Sequence, residues 1–361
     1  MNITKIVVTG GPCAGKSTAL SWIQNAFSQR GYTVLFVPET ATELISGGVA
    51  PWTCGTNLDF QKGQMRLQLE KEAIFEQAAR TMNTEKLLIV CDRGALDNKA
   101  YMDDEEYEAV LKDLGKTHEE LLLSYDAVFH LVTAANGAEQ FYTLENNAAR
   151  TESPEEAMAL DDKLIAAWTG HPHLRVIDNS TDFENKMKRL ISGIANFLGE
   201  GATYETERKF LIEYPDIKWL ESVPNIRHVE IVQTFLESDK KEEVRVRRRN
   251  YRGHSVYFLS SKLNLNGEKQ TEIECRLTES EYIRLLMNSD TRRKQVRKDR
   301  YCLTYENRYF KIDVFPFWND KAIAAVELVD EDSDIVFPEN IKVIREITND
   351  ETYKNPSWAV Q

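Results

Sequence analysis

The chain has 361 residues, 42% of them hydrophobic, and a formal net charge of −13. That size supports more than one core, so two domains are expected. An acidic chain repels nucleic-acid backbones and anionic membranes, which makes nucleic acid a poor partner and any local basic cluster informative. No run of apolar residues is long enough for a transmembrane helix, and the opening residues lack the apolar region of a secretory signal. The cysteines Cys13, Cys54, Cys91, Cys275 and Cys302 are scattered without metal-ligand spacing. A reducing, cytoplasmic setting is expected.

In chain order, Lys5–Thr9 reads as a short apolar strand, Ser17–Arg30 as a helix and Tyr32–Val37 as a second strand. Phe60–Thr81 is a long helix candidate. The strands Leu87–Cys91, Ala127–Leu131 and Leu174–Ile177 follow, then the helix Phe183–Leu198 with apolar residues at helical spacing. Strands alternating with helices predict an α/β domain with a mostly parallel sheet, covered on both faces and joined by right-handed crossovers. The pattern changes at Gly199-Glu200-Gly201, a candidate linker. Beyond it, period-two alternation marks Tyr204–Glu213, His228–Leu236, Glu243–Asn250, Val256–Lys262, Thr271–Leu277, Gln295–Thr304, Tyr309–Phe315 and Ala322–Val329, with the helix Glu279–Met287 among them. So many short strands predict an antiparallel β-barrel or sandwich. The expected domains are 1–200 and 203–361.

The segment Gly10-Gly11-Pro12-Cys13-Ala14-Gly15-Lys16-Ser17-Thr18 satisfies G-x-x-x-x-G-K-[ST] after a strand and at the opening of a helix. The glycines let the backbone wrap phosphates closely, and the helix N-terminus turns free N–H groups and its positive dipole toward them. Lys16 would reach the β- and γ-phosphates, and Ser17 would hold Mg²⁺. Glu39 follows the second strand, where ligands meet an open sheet, and reads as a base or as an acid orienting metal-bound water. The plainer alternative is a solvated helix-capping acid. Asp92-Arg93-Gly94 follows the strand Leu87–Cys91. The acid would hold Mg²⁺ through water and the arginine would clamp phosphate, unless the pair is only a salt-bridged strand end. Arg150, in the polar stretch Glu145–Glu155, reads as a lid residue closing on nucleotide, against an ordinary exposed arginine.

On GGPCAGKS, Glu39, the Asp92-Arg93 pair and the Asn147-to-Arg150 segment, residues 1–200 resemble the P-loop NTPases of the nucleoside-kinase and nicotinamide-riboside-kinase-like, AAA-type group. The resemblance implies acceptor activation by Glu39 and phosphate binding by Asp92 and Arg93. It identifies no acceptor pocket. Asp59, Gln61, Gln64 and Arg66 are candidates, each equally readable as a surface residue. ATP and GTP are not distinguished.

The second half carries an unusual amount of charge for strands that must bury one face. Glu205, Glu207 and Lys209 alternate on one strand, Arg245, Arg247 and Arg249 on another, then Glu272 and Glu274 before Arg276. Lys298 and Arg300 form a further pair, Asp313 shares a strand with Lys311, and Glu327 stands in an apolar strand. Charges inside a barrel must be paired or coordinate something. The pattern suits a polyanion tunnel, in which arginine and lysine grip phosphate and carboxylates hold Mg²⁺ or Mn²⁺. A charged solvent face with cross-strand salt bridges is the alternative.

The run YETERKF carries the E-x-E-x-K signature of the CYTH family, the triphosphate tunnel metalloenzymes, and the charged residues follow in that family's usual order. The resemblance covers residues 203 to the end and implies a closed antiparallel barrel. Family activities include inorganic triphosphatase, thiamine triphosphatase, adenylate cyclase and RNA triphosphatase. It implies phosphate contacts from Lys209, Arg245, Arg247, Lys262, Lys298 and Arg300, and metal sites from Glu205, Glu207, Glu272, Glu274, Asp313 and Glu327. One departure stands out: the family commonly pairs its last metal-binding glutamate with a second two residues on, and here that position is Val329. The leading expectation is an enzyme that binds ATP or GTP on the P-loop and hydrolyses it or transfers its phosphoryl group, coupled to a metal-dependent barrel that binds or cleaves inorganic triphosphate or another phosphorylated small molecule. The alternatives are a nucleotide-controlled binding switch and a small-molecule kinase with a sensing barrel.

Overall fold

The computed structural model describes residues 2–142, 153–200, 207–238, 242–265, 268–328, 335–348 and 350–353, without the side chains of 2, 242, 262–265, 268–273 and 351. The chain divides into two compact units, Met1–Leu198 and Gly199–Gln361. Among the described residues no helix is long and apolar enough to cross a membrane.

The first unit runs β1 (Asn2–Gly10), α1 (Lys16–Ser28), β2 (Thr33–Val37), α2 (Thr40–Ser46), α3 (Asn57–Thr81), β3 (Lys86–Asp92), α4 (Asp104–Leu114), α5 (His118–Leu122), β4 (Ala127–Leu131), α6 (Pro154–Trp168), β5 (Leu174–Ile177) and α7 (Phe183–Phe197). Its strands form a parallel sheet in the order β2-β3-β1-β4-β5. The central strands carry continuous apolar runs because helices cover both faces. Ile6, Val7 and Val8 on β1 and Leu87 to Cys91 on β3 have no exposed surface. Each such aliphatic side chain contributes roughly 1.5–3 kcal/mol when fully buried. β1 lies between β3 and β4, so the chain reverses its direction of winding there. The crevice beyond the carboxyl end of β1 is therefore where an open α/β sheet accepts a ligand.

Several helices lie where the sequence pattern shows none. α6 begins at Ser153, whose side chain accepts from the Glu156 N–H, with Pro154 in the first turn. The polar residues of that opening read as loop because the cap and the helix start share one composition.

The second unit runs β6 (Glu207–Glu213), α8 (Ile217–Ser222), β7 (Arg227–Phe235), β8 (Glu242–Tyr251), β9 (His254–Leu265), β10 (Glu268–Leu277), α9 (Glu279–Leu286), β11 (Val296–Tyr305), β12 (Arg308–Val314), β13 (Lys321–Glu327) and β14 (Val343–Glu346). Its strands form one antiparallel sheet of the barrel type, ordered β10-β9-β8-β7-β11-β12-β13-β6-β14. β14 pairs with β6 through a bulged register and has no counterpart in the period-two reading. One face carries Phe210, Tyr301, Leu303, Phe310, Ile312, Ala324 and Val326, packed against Leu220 of α8. α9 covers the same face further along, with Tyr282 against Val246 and the partly buried Tyr257 and Leu259.

The register carries the charged residues to the opposite face. Directly paired residues on adjacent strands share a face. Glu327 pairs with Glu207, Ala325 with Lys209 and Lys311, and Asp313 with Arg300. Lys298 pairs with Ile231, which pairs with Arg249; Gln233 pairs with Arg247 and Phe235 with Arg245. Arg245 pairs in turn with Ser260, and Ser260 with Glu274. Neither α8 nor α9 covers this face, yet the side chains of Lys298, Asp313, Lys311 and Glu327 are only 5–8% exposed. Curling of the sheet, with the charges inside, accounts for that burial. An apolar cluster of Leu211, Phe235, Val296, Phe315, Ile323 and Ile347 shares the charged face.

Candidate functional site

The P-loop connects β1 to α1 through a backbone that side chains would obstruct. Gly10 has φ 147°, and a Cβ there would sit 2.1 Å from the Leu131 carbonyl oxygen. At Gly11 a Cβ would sit 2.6 Å from Asp161 Oδ1. Both glycines are needed for close approach, whatever the phosphates require. Lys16 Nζ donates to the Gly10 carbonyl at 3.1 Å, folding the side chain back over the loop. Burial, reinforced by Arg93, pulls its pKa down to about 8. A nearby anion would restore the charged form. Ser17 and Thr18 are exposed at the start of α1.

Buried side chains hold the loop from behind. Asp161 on α6 accepts from the Gly11 N–H at 2.6 Å and from the Thr133 N–H at 3.2 Å, and lies 3.0 Å from His130 Nε2. Burial would raise the Asp161 pKa, but His130 and these N–H groups outweigh it, so the group is held below its ordinary value. Thr133 Oγ1 donates to the Pro12 carbonyl at 2.5 Å. Lys186 on α7 donates to the carbonyls of Ala14 and Val132 and to Asn179. Sequence reasoning missed Asp161, His130 and Lys186. They lie 7–172 positions from the groups they bind, most of them in distant segments, and no local spacing marks them.

The carboxyl ends of β2 and β3 bring Glu39, Asp92 and Arg93 to the same crevice. Arg93 has φ 67°, an uncommon left-handed backbone for a residue with a side chain. Its N–H donates to the Val8 carbonyl, and its own carbonyl accepts from Gln68 Nε2 at 3.1 Å. Arg93 Nε donates to Glu39 Oε1 at 2.5 Å. Burial would raise the Glu39 pKa, but Arg93 and Lys16 hold it down at about 2. Asp92 is the opposite case: burial pushes its pKa up, only partly offset by Lys16. Asp92 Oδ1 and Arg93 Nη1 are buried atoms without a hydrogen-bond partner. Leaving a buried polar atom unsatisfied costs about 1–3 kcal/mol, so such atoms in a crevice favour a polar ligand there. A carboxylate oxygen without a partner at the P-loop, close to Lys16, suits a Mg²⁺ ligand chemically.

The acceptor candidates separate. Asp59 belongs to the start of α3, exchanging hydrogen bonds with Thr56. Arg66 is exposed and pairs with Asp113 at 2.6 Å. Gln61 and Gln64 are buried and continue into Gln68 and Glu72, a polar stripe on the inner face of α3. Gln61 Oε1 has no partner. Arg150 and residues 145–152 of its polar stretch lie outside the described residues, and Ser153 to Glu155 open α6.

In the second unit, Asp313 is clamped by two cations. Arg300 donates to it through Nε at 2.6 Å and Nη2 at 2.8 Å, and Lys298 Nζ lies 2.6 Å away. Burial alone would raise the Asp313 pKa; Arg300 and Lys298 reverse this and hold it far below the usual carboxylate range. Burial pulls Lys298 down to about 7 despite Asp313. Lys311 contacts both Glu207, at 2.5 Å, and Glu327. Lys209 lies 3.3 Å from Glu207. Further round the sheet, Arg247 donates to Glu274 at 3.0 Å, as does Ser260 at 2.8 Å, and Arg245 donates to Glu243 at 3.1 Å. Arg249 is buried on the same face. Thus, among the described side chains of this face, Lys209, Arg245, Arg247, Arg249, Lys298, Arg300 and Lys311 outnumber Glu207, Glu243, Glu274, Asp313 and Glu327. Lys311 and Glu243 escaped the sequence reading as site residues, although Lys311 sits two positions from Asp313.

Of the carboxylates expected to hold metal, Glu207 and Glu327 meet at Lys311, Asp313 is held by Lys298 and Arg300, and Glu274 by Arg247. Among the described residues no group of three or more acids, histidines or cysteines converges. Glu205 and Val329 lie outside the described residues, as do the side chains of Lys262 and Glu272, which stand opposite one another in the β9–β10 ladder. The described donor set does not fit a divalent cation held by several carboxylates.

A parallel sheet in this order with a lysine-bearing loop after β1 defines a P-loop NTPase fold. A family model described as an AAA domain matches residues 5–186, half of the chain, and the chain belongs to that family. No curated protein matches the sequence. Among solved structures, the chain is similar to the inorganic triphosphatase NE1496 at 26% identity, covering 44% of this chain and 98% of that one with a TM-score of 0.31. A protein of Pyrococcus horikoshii OT3, PH1819, is similar at 21% identity over 36% of this chain and 80% of that one, with a TM-score of 0.27. A conserved hypothetical protein of Pyrococcus furiosus is similar at 12% identity over 37% and 81%, with a TM-score of 0.25.

Proposed function

We propose that the first unit binds ATP or GTP with Mg²⁺ and cleaves or transfers the terminal phosphoryl group, and that the charged face of the second unit binds inorganic triphosphate or another triphosphate-bearing molecule. The observation that carries the first part is the pair of unpartnered buried atoms, Asp92 Oδ1 and Arg93 Nη1, beside Lys16 at the P-loop. Ser17 and Asp92 would hold Mg²⁺, which when bound neutralises charge on the phosphate oxygens. Lys16 and Arg93 stabilise the charge that builds on the transferred group. With a pKa near 2, Glu39 is a weak base. Its role in this reading is to aim Arg93 and to accept a hydrogen bond from an attacking group. Arg150 completes the site from its lid segment.

Phosphoryl transfer to a small acceptor is the second reading, with α3 as its basis. The buried Gln61 and Gln64 offer amides to a polar acceptor, and Gln61 Oε1 has no partner. The second part of the proposal rests on the surplus of cations on the buried face, which a polyanion would balance.

Phosphorus NMR of the full chain with Mg²⁺ and ATP or GTP tests the first part. Orthophosphate, or a new phosphoester with an added hydroxyl compound, is expected from the wild type and not from Lys16→Ala. Equal turnover by both proteins would place the chemistry elsewhere and end this reading of the P-loop.

A further inference from the structure

Two carboxylates on the charged face converge on one lysine. Lys311 Nζ lies 2.5 Å from Glu207 Oε1 and also contacts Glu327, and the lysine and Glu327 side chains are 7% and 5% exposed. The backbone of Lys311 is fixed in mid-ladder, paired with Cys302 on one side and Ala325 on the other. Its ammonium therefore cannot swing away without breaking its buried ion pair with Glu327. A divalent cation entering between Glu207 and Glu327 would have to displace this group or sit beside it against charge repulsion.

We propose that this face binds linear polyphosphate directly through its ammonium and guanidinium groups, with Lys311 standing where a bridging divalent cation would otherwise join Glu207 and Glu327, so that binding needs no metal. The inference rests on the reading that the face takes a triphosphate-class anion. It goes further by naming what neutralises the carboxylates. Glu207 and Glu327 then serve as internal counter-ions that hold Lys311 and Lys209 at fixed positions. Asp313 does the same for Lys298 and Arg300, both of which lie within 2.6 Å of it. The phosphate oxygens meet cations already desolvated and oriented, so little further ordering is required.

The test is calorimetric titration of the full chain carrying Lys16→Ala, so that the P-loop does not compete, with inorganic tripolyphosphate. One buffer contains EDTA and the other excess Mg²⁺. Affinities in the two buffers are expected to agree within about threefold. Affinity at least about tenfold weaker in EDTA would overturn the inference while leaving the triphosphate reading intact. No binding in either buffer would overturn both. Adding Lys311→Met is expected to weaken binding in EDTA at least about tenfold, with partial recovery in Mg²⁺ as the released carboxylates become available. If that variant fails to fold by circular dichroism, Lys311→Met with Glu327→Gln removes the ion pair together and is expected to lose affinity in EDTA in the same way. Unchanged affinity in a folded Lys311 variant would remove the lysine from the site.

Discussion

In the proposed reading the two units prepare for phosphate in different ways. Around the P-loop the anion-binding groups are mostly backbone amides and a helix terminus, held in shape by buried side chains such as Asp161 and Lys186. Lys16 and Arg93 add side-chain positive charge there. In the second unit the sheet's own N–H groups are spent in the ladder, so side-chain charge must meet the ligand, and each cation needs a carboxylate nearby while the site is empty. A backbone site tolerates few changes of shape. A side-chain site tolerates changes of shape but few changes of charge.

The sharpest way to break this comparison is Lys16→Ala. Turnover of ATP or GTP is expected to fall by roughly 10²- to 10³-fold, the usual cost of losing one charge-stabilising donor. Tripolyphosphate binding by the second unit should stay within about twofold. Asp313→Ala comes next. It leaves Lys298 and Arg300 buried without their carboxylate, and urea unfolding is expected to show a loss of about 3–5 kcal/mol. Saturating tripolyphosphate should restore part of that stability by mass action; no restoration would mean that the anion does not sit among these cations.

A smaller effect follows from Lys298. Its folded pKa is near 7, against an ordinary value of 10.5, because burial opposes the charge more strongly than Asp313 favours it. The unfolded chain binds the extra proton between about pH 7 and 10, so this residue makes the fold more stable as pH rises through that window. Anion binding has the opposite sign, because it favours charged Lys298, with Arg300 and Arg247 close by. Tripolyphosphate affinity measured calorimetrically should fall from pH 6 to pH 9, and Lys298→Met should flatten that slope. Asp161→Asn is expected to weaken nucleotide binding by about 1–3 kcal/mol, the range for a charged hydrogen bond to a buried partner, since an amide cannot accept from both Gly11 and Thr133 with its nitrogen. Nucleotide titration followed by fluorescence or calorimetry would measure it. Arg66→Ala, on the exposed surface of α3, should change stability by less than about 1 kcal/mol and leave both sites unaltered.

Much of the molecule was legible in the chain. Ala127–Leu131 and Leu174–Ile177 form strands with the very limits that their apolar runs indicate. The P-loop could be read because its glycines, lysine and serine are neighbours whose spacing is itself the mechanism. The alternating charges of the second unit could be read because a strand's period of two puts Glu207 with Lys209 and Lys298 with Arg300 on one face before any partner is known. Tertiary structure alone decided which charge meets which. That Lys311 lies between Glu207 and Glu327, that Asp313 takes Lys298 and Arg300, and that Asp161 reaches Gly11 across 150 positions all depend on register and packing between distant segments. Local sequence sets the direction in which a side chain points. Only the folded sheet sets what waits at the end of it, because pairing energies act over a few ångströms and the chain can bring many different partners within that distance.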